Sequence, residues 1–194
     1  MRRMPRLSAV LAAAGLATFL SVGVTASARA DVVPQPPWSE IFPPLTDNLA
    51  CLDDPSGSAT SGTALQLFHC HGYASNGGPQ RWLFNAWGAP NVQNLYHINS
   101  HNLCLGGDPN HGLTPGERAE LVTCSGLLGG PIWSLHSRNA YSGDPYFMLE
   151  LGVEDFSSSL SYCLSLPDFS GGNGEPVILE RCNANDELQY WNLG

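Results

Sequence analysis

The sequence has no lysine, and four of its eight arginines (Arg2, Arg3, Arg6 and Arg29) stand in the first thirty residues. All seventeen acidic residues lie at or after Asp31. From Asp31 onward, four arginines therefore face seventeen acids, a net charge of −13 with histidine neutral. A surface this acidic repels phosphate backbones and anionic lipid, which argues against binding nucleic acid or a membrane surface. Also missing are closely spaced cysteines of the C-x₂-C kind that a zinc site would need. His69 and His71 flank Cys70 and would share one face of a strand, but two ligands are too few. His97, His101, His111 and His136 show no ligand spacing. There is no G-x-S-x-G elbow for a serine nucleophile. No glycine-rich turn joins a strand to a helix, so a nucleotide cofactor has no cradle. The adjacent acids Asp53-Asp54, Glu154-Asp155 and Asp186-Glu187 sit on turns. Glycoside hydrolysis needs two carboxylates facing each other across a cleft, which such neighbours do not provide. The expectation is a protein without metal, cofactor or catalytic activity.

The amino-terminal residues read as an export signal. Arg2, Arg3 and Arg6 form a basic start, residues 7–24 are largely apolar, and Ala28-Arg29-Ala30 supplies a small-x-small cleavage pattern. Residues 1–30 are thus expected to be a secretory signal peptide, with the mature, extracellular chain beginning at Asp31. An uncleaved anchor is the alternative, but the apolar run is short for a bilayer span. No later stretch is apolar enough to cross a membrane. Residues 31–194 have the length of one domain. All six cysteines lie there, an even count that points to three disulfides in an exported chain.

What is present is a repeat. Cys51 and Cys70 are 19 residues apart, Cys104 and Cys124 are 20, and Cys163 and Cys182 are 19. Leucine follows each first cysteine (Leu52, Leu105, Leu164), and a tryptophan follows each second one (Trp82, Trp133, Trp191). Three units of 50 to 60 residues follow from this. Residues 63–70, 118–124 and 176–182 place apolar side chains at nearly every second position, which predicts strands. Residues 95–98 and 146–151 read as strands opening units two and three. Between them lie turn-forming clusters: Asp54-Pro55-Ser56-Gly57, 75–79, 106–112 and 170–174. Nothing after the signal keeps a helical period, so the domain is expected to be all-β. One such unit cannot bury both faces of its strands, whereas three around an axis share a core and leave no open sheet edge. The spacing suggests disulfides within units, Cys51–Cys70, Cys104–Cys124 and Cys163–Cys182, although six cysteines allow fifteen connectivities in principle. Residues 31–44, with Pro34, Pro36, Pro37, Pro43 and Pro44, read as an extended lead-in. Trp38, Ile41 and Phe42 suggest that its second half packs on the domain, residues 45–194.

Gln80-Arg81-Trp82 and Gln189-Tyr190-Trp191 are Gln-x-Trp motifs, and the middle unit has Pro131-Ile132-Trp133 in that place. Two such motifs and a third tryptophan in the same place, each after a Cys-Leu…Cys pair, resemble the ricin-type β-trefoil lectins. The resemblance implies a β-trefoil of three disulfide-stapled repeats with the tryptophans in its core. It also implies up to three shallow sugar pockets. In each, an Asp after Cys-Leu would accept sugar hydroxyls and an aromatic before the second Cys would stack on the ring. A Gln two residues before the aromatic and an Asn before Gln-x-Trp would add polar contacts. Unit one has Asp53, Gln66, Phe68 and Gln80, but Pro79 holds the Asn position, with Asn76 nearby. Unit two has Gly106, Val122 and Pro131 instead, and unit three has Ser165, Glu180 and Leu188. Asp168, Asn183 and Asn185 offer unit three only a polar cluster of another kind. The implied function is a secreted, monomeric, non-enzymatic carbohydrate-binding module whose partner is a glycan or glycoconjugate. The alternative is a trefoil scaffold for a secreted protein partner, such as a toxin-complex subunit or an enzyme inhibitor. The degraded second and third units and the inserts at 87–93 and 134–145 favour that alternative.

Overall fold

Short alternating apolar segments make short strands, and fifteen of them appear among the described residues of a computed structural model. Those residues are 38–44, 50–58, 60–71, 78–86, 95–108, 113–124, 130–139, 145–152 and 161–194. Unit one contributes β1 (Trp38–Ser39), β2 (Ile41–Phe42), β3 (Ala50–Asp53), β4 (Thr63–Ala64), β5 (Gln66–His69) and β6 (Trp82–Ala86). Unit two contributes β7 (Leu95–Ser100), β8 (Leu103–Gly106), β9 (Glu117–Arg118), β10 (Glu120–Thr123) and β11 (Ile132–Asn139). Unit three contributes β12 (Pro145–Gly152), β13 (Tyr162–Ser165), β14 (Ile178–Arg181) and β15 (Tyr190–Leu193). No helix among the described residues is long and apolar enough to cross a membrane.

The pairings close a ring. β1 pairs with β6, β6 with β7, β7 with β11, β11 with β12, β12 with β15, and β15 with β2, all antiparallel. Since β1 and β2 are two halves of one stave, this is a six-stranded barrel without a free edge. Residues 38–42 are therefore part of the barrel. The expected packing of Trp38, Ile41 and Phe42 on the domain takes the form of a barrel stave. The physical reason is closure, because without this stave β6 and β15 would each expose a row of unpaired backbone groups. Residues 31–37 of the lead-in and the expected signal segment, 1–30, lie outside the described residues.

A cap of three hairpins, β3–β5, β8–β10 and β13–β14, completes the fold. Its centre is a ring of backbone hydrogen bonds that passes once through each unit. Leu65 N–H donates to the Ala119 carbonyl (2.8 Å), Ala119 N–H to Val177 (2.9 Å), and Val177 N–H back to Leu65 (3.2 Å). All three residues are buried. This explains why the expected strands at 63–70, 118–124 and 176–182 are each interrupted at that position: their backbone turns to the neighbouring unit instead of the hairpin partner. Gly62, Gly116 and Gly174 hold equivalent positions with φ of +87°, +81° and +84°, a region open to glycine at little cost.

The core repeats in the same way. Trp82, Trp133 and Trp191 are wholly buried. Each indole Nε1 donates to the carbonyl of the leucine after the first cysteine: to Leu52 at 3.0 Å, Leu105 at 2.8 Å and Leu164 at 2.9 Å. A buried tryptophan needs a partner for its N–H, and the Cys-Leu step supplies it. The disulfides Cys51–Cys70, Cys104–Cys124 and Cys163–Cys182 form within units, as the spacing suggests. Each closes a loop of about twenty residues, worth roughly 3 kcal/mol in the chain-entropy model. Barrel, cap and three-fold repetition together make this a β-trefoil.

Candidate functional site

In the β3–β5 hairpin Asp53 stands opposite Gln66 and Cys51 opposite Phe68, which puts Asp53, Gln66 and Phe68 on one face. Leu52 and Leu67 take the other face and enter the core. Asp53 Oδ2 accepts from Gln66 Nε2 at 3.0 Å, and Oδ1 accepts from Gln80 Nε2 at 3.2 Å. The same Gln80 amide donates to the His69 carbonyl at 3.0 Å, and its Oε1 accepts the His71 N–H at 2.8 Å. The structure thus brings four of the five expected residues together around one carboxylate; Asn76 lies outside the described residues. Asp53 is buried, with 4% of its surface exposed, and each of its oxygens already accepts one side-chain amide. Phe68 is half-buried beside it, with the exposed His71 ring nearly parallel at 5.7 Å between centroids. Pro79 offers no side-chain donor, but its carbonyl accepts the Asp54 N–H at 2.8 Å and ties the two loops together.

Asp54, next along the chain, is fully buried. Its Oδ1 accepts the Ser58 N–H at 3.1 Å, and its Oδ2 lies 3.3 Å from His101 Nδ1. His101 reaches it from the two-residue turn between β7 and β8, where His101 and Asn102 have φ of +50° and +67°. Burial raises the Asp54 carboxyl above the ordinary carboxylate range, and Asp53 adds to this, while His101 and the Ser58 N–H oppose it. The folded chain therefore holds this proton more tightly than the unfolded chain does. The cost of ionising Asp54 is absent below the ordinary carboxylate range and grows as pH rises through and beyond it. Asp54→Asn removes that titration. Melting curves at about pH 3 and about pH 7 are expected to show the variant gaining on the parent at the higher pH. A stability difference that does not change with pH would rule out this origin.

The other units show what is general and what is special to unit one. Gln189 Nε2 donates to the Arg181 carbonyl at 2.8 Å, and its Oε1 accepts the Asn183 N–H at 2.8 Å. Gln80 and Gln189 thus brace the backbone on both sides of the second cysteine, a structural role. In unit two the corresponding pocket is filled. A Cβ on Gly106 would come within 2.8 Å of both Pro131 Cγ and Val122 Cγ2. Gly106→Asp is therefore expected to destabilise the protein by about 1–3 kcal/mol rather than create a site. Denaturant unfolding measures this, and an undiminished midpoint would show that the pocket can open. In unit three, Ser165 Oγ donates to the Leu166 carbonyl at 3.0 Å and is buried. Asp168 Oδ1 accepts the Ser170 N–H at 2.7 Å, which lowers its carboxyl below the usual range, and Asn183 Oδ1 accepts the Asn185 N–H at 3.1 Å. Each of these polar groups is used in its own turn. Sequence patterns did not single out Asp54 or His71 as parts of this region; both are placed there by hydrogen bonds to the loop around Gln80.

No protein-family model matches the sequence, and no curated protein is similar to it. Solved structures are similar in fold. The Rhizoctonia solani agglutinin is 19% identical, with a TM-score of 0.57 over 84% of this chain and 98% of that one. The Macrolepiota procera ricin B-like lectin, solved in complex with lactose, is 18% identical with a TM-score of 0.52, over 84% of this chain and 97% of its own. The designed three-fold symmetric protein ThreeFoil is 18% identical with a TM-score of 0.58, over 80% and 96%. At these identities the likeness establishes the fold. The chain is a β-trefoil, and among the described residues its first unit brings Asp53, Gln66, Gln80 and Phe68 together.

Proposed function

We propose that this chain is a secreted carbohydrate-binding module that acts without catalysis and uses unit one as its sugar site. The observation that carries the reading is the Asp53 carboxylate held by Gln66 and Gln80 beside the half-buried Phe68 ring. A pyranose offers hydroxyl donors and one patch of C–H groups, and a fixed acceptor next to an aromatic face matches both. Two of the similar folds are described as an agglutinin and as a lectin with lactose, which fits this reading. A single shallow site buries little area, so binding by one module is weak and gains strength through multivalency. Export through the signal segment 1–30, a domain preceded by the Pro-rich residues, and a monomeric state belong to the same proposal.

The second reading is a scaffold that docks a secreted protein. The filled unit-two pocket and the eight-residue strands β11 and β12 favour it. A glycan array probed with the mature protein and with Asp53→Ala separates the two. Binding to a defined glycan that the substitution abolishes is the expected result. A blank array, together with a stable protein partner in the secreted fraction, would establish the scaffold instead.

A further inference from the structure

Resting on that reading, we infer that Asp54 and His101 are positioning residues for the sugar site: through them unit two holds the acceptor Asp53 in its binding geometry without touching the glycan. The place three residues after the first cysteine is filled differently in each unit. In unit three it is Leu166, buried in the core. In unit two it is Gly107, where a Cβ would come within 2.7 Å of Leu179 Cδ1 and 2.8 Å of Leu113 Cδ2. Apolar atoms thus occupy this place in both. Unit one puts a carboxylate there, fully buried, where burial works against its charge. The backbone does not require it. Asp54 N–H donates to the Pro79 carbonyl at 2.8 Å, and Leu166 N–H makes the same bond to the Leu188 carbonyl at 3.1 Å. A leucine satisfies the fold, so the carboxylate serves another purpose.

Its contacts identify that purpose. Asp54 directly follows Asp53, and its carbonyl accepts the Gly57 N–H at 2.9 Å, closing the short turn at Pro55–Gly57. Oδ1 ties this turn back through the Ser58 N–H, and Oδ2 ties it to His101 of unit two. Pro79, which takes the Asp54 N–H, stands one residue before Gln80, the donor to Asp53 Oδ1. Asp54 therefore joins the segment that carries the acceptor, the segment that carries its amide donor, and the neighbouring unit. His101 is held on its own side. The buried Ser100 Oγ lies 3.1 Å from the same Nδ1, and the ring covers the turn, with Cε1 4.0 Å from where a Cβ on Gly57 would stand. A binding group works only if it is kept within about 0.5 Å of its productive geometry, so loosening this junction costs affinity.

The experiment is calorimetric titration of the mature protein with methyl glycosides of galactose, glucose, mannose and N-acetylglucosamine, and with the array glycan that binds most strongly. The variants are Asp54→Asn, His101→Gly, their double, and His101→Asn. Glycine suits the φ of +50° at position 101, so removing the side chain this way adds no backbone strain. Asparagine tolerates that φ and puts its amide nitrogen where Nδ1 stands. Asp54→Asn and His101→Gly are each expected to weaken binding about threefold to tenfold, and the double no further than the stronger single. His101→Asn should stay within about twofold of the parent. The loss in Asp54→Asn should come although that variant melts no lower than the parent at about pH 7, a split that a purely structural role would not give. In NMR spectra the side-chain amides of Gln66 and Gln80, which both donate to Asp53, should shift in the two single variants and stay in place in His101→Asn. If either single variant binds as the parent does, if the two losses add, or if His101→Asn binds no better than His101→Gly, the positioning role is wrong, while loss of binding in Asp53→Ala keeps the sugar site. If the parent binds none of these sugars and none on the array, the lectin reading fails and takes this inference with it.

Discussion

Alanine at position 133 is expected to remove about 4–5 kcal/mol of folding stability, a large part of the 5–15 kcal/mol that a domain of this size holds. Trp133 is wholly buried, so the substitution leaves a cavity that its neighbours only partly fill. It also leaves the Leu105 carbonyl without its indole donor. Trp133→Phe keeps most of the apolar volume and loses the hydrogen bond, so it should cost about 1–3 kcal/mol. Unit two is the right place for the test because its pocket at Gly106 is filled by Pro131 and Val122. Trp82→Ala and Trp191→Ala, which make the same contact to Leu52 and Leu164, should cost the same within about 1 kcal/mol in denaturant unfolding. If one of the three dominates and the others are nearly silent, the units do not share the core equally.

Asp53→Ala is expected to weaken glycan binding by about tenfold to a hundredfold while leaving the protein folded. A charge-assisted hydrogen bond contributes about 1.5–3 kcal/mol, and each 1.4 kcal/mol is a factor of ten. The substitution also removes the acceptor of Gln66 Nε2, whereas Gln80 Nε2 keeps the His69 carbonyl. The stability cost is therefore about 1–3 kcal/mol, smaller than that of losing a core tryptophan. Asp53→Asn separates charge from shape. It keeps one oxygen but sets an amide donor against the donors of Gln66 and Gln80, so binding should be lost there too. Phe68→Ala removes stacking alone and should cost about tenfold at most. Ser165→Ala, at the matching position of unit three, should leave binding unchanged. Titration of one glycan against these variants ranks them. Binding retained by Asp53→Ala within a factor of two would place the sugar elsewhere on the molecule.

Much of the architecture is legible because each unit carries its own copy of the same local instruction. A cysteine, a leucine whose carbonyl takes an indole proton, a second cysteine and a tryptophan are all within one unit. The sixth stave is legible only as apolar residues that pack on the domain, not as a strand. Trp38–Ser39 and Ile41–Phe42 are too short to show a period, they sit among prolines, and Ile41 pairs with Leu193 at the far end of the chain. The interruptions at Leu65, Ala119 and Val177 are hidden because apolar alternation runs straight through them. The site divides similarly. Asp53, Gln66, Phe68 and Gln80 follow from the resemblance to the ricin-type lectins, whose motif positions they match, and two paired strands and one motif carry them. Asp54 and His101 come from different units, and His71 meets Phe68 across a cysteine turn, so neither meeting has a pattern along the chain.

The seam between β2 and β15 has a mechanical meaning. Glu40 and Gly194 exchange backbone hydrogen bonds at 2.9 and 3.0 Å, and from there Ile41 faces Leu193 and Phe42 faces Asn192. Both chain directions leave this antiparallel ladder at the same end. Tension applied at residues 40 and 194 would then peel the ladder open one pair at a time, like a zipper, instead of shearing all its bonds together. A sheet loaded by shear resists as a group, but this one would yield at its first pair. The closure that leaves the barrel without an edge is also the point at which pulling would open it.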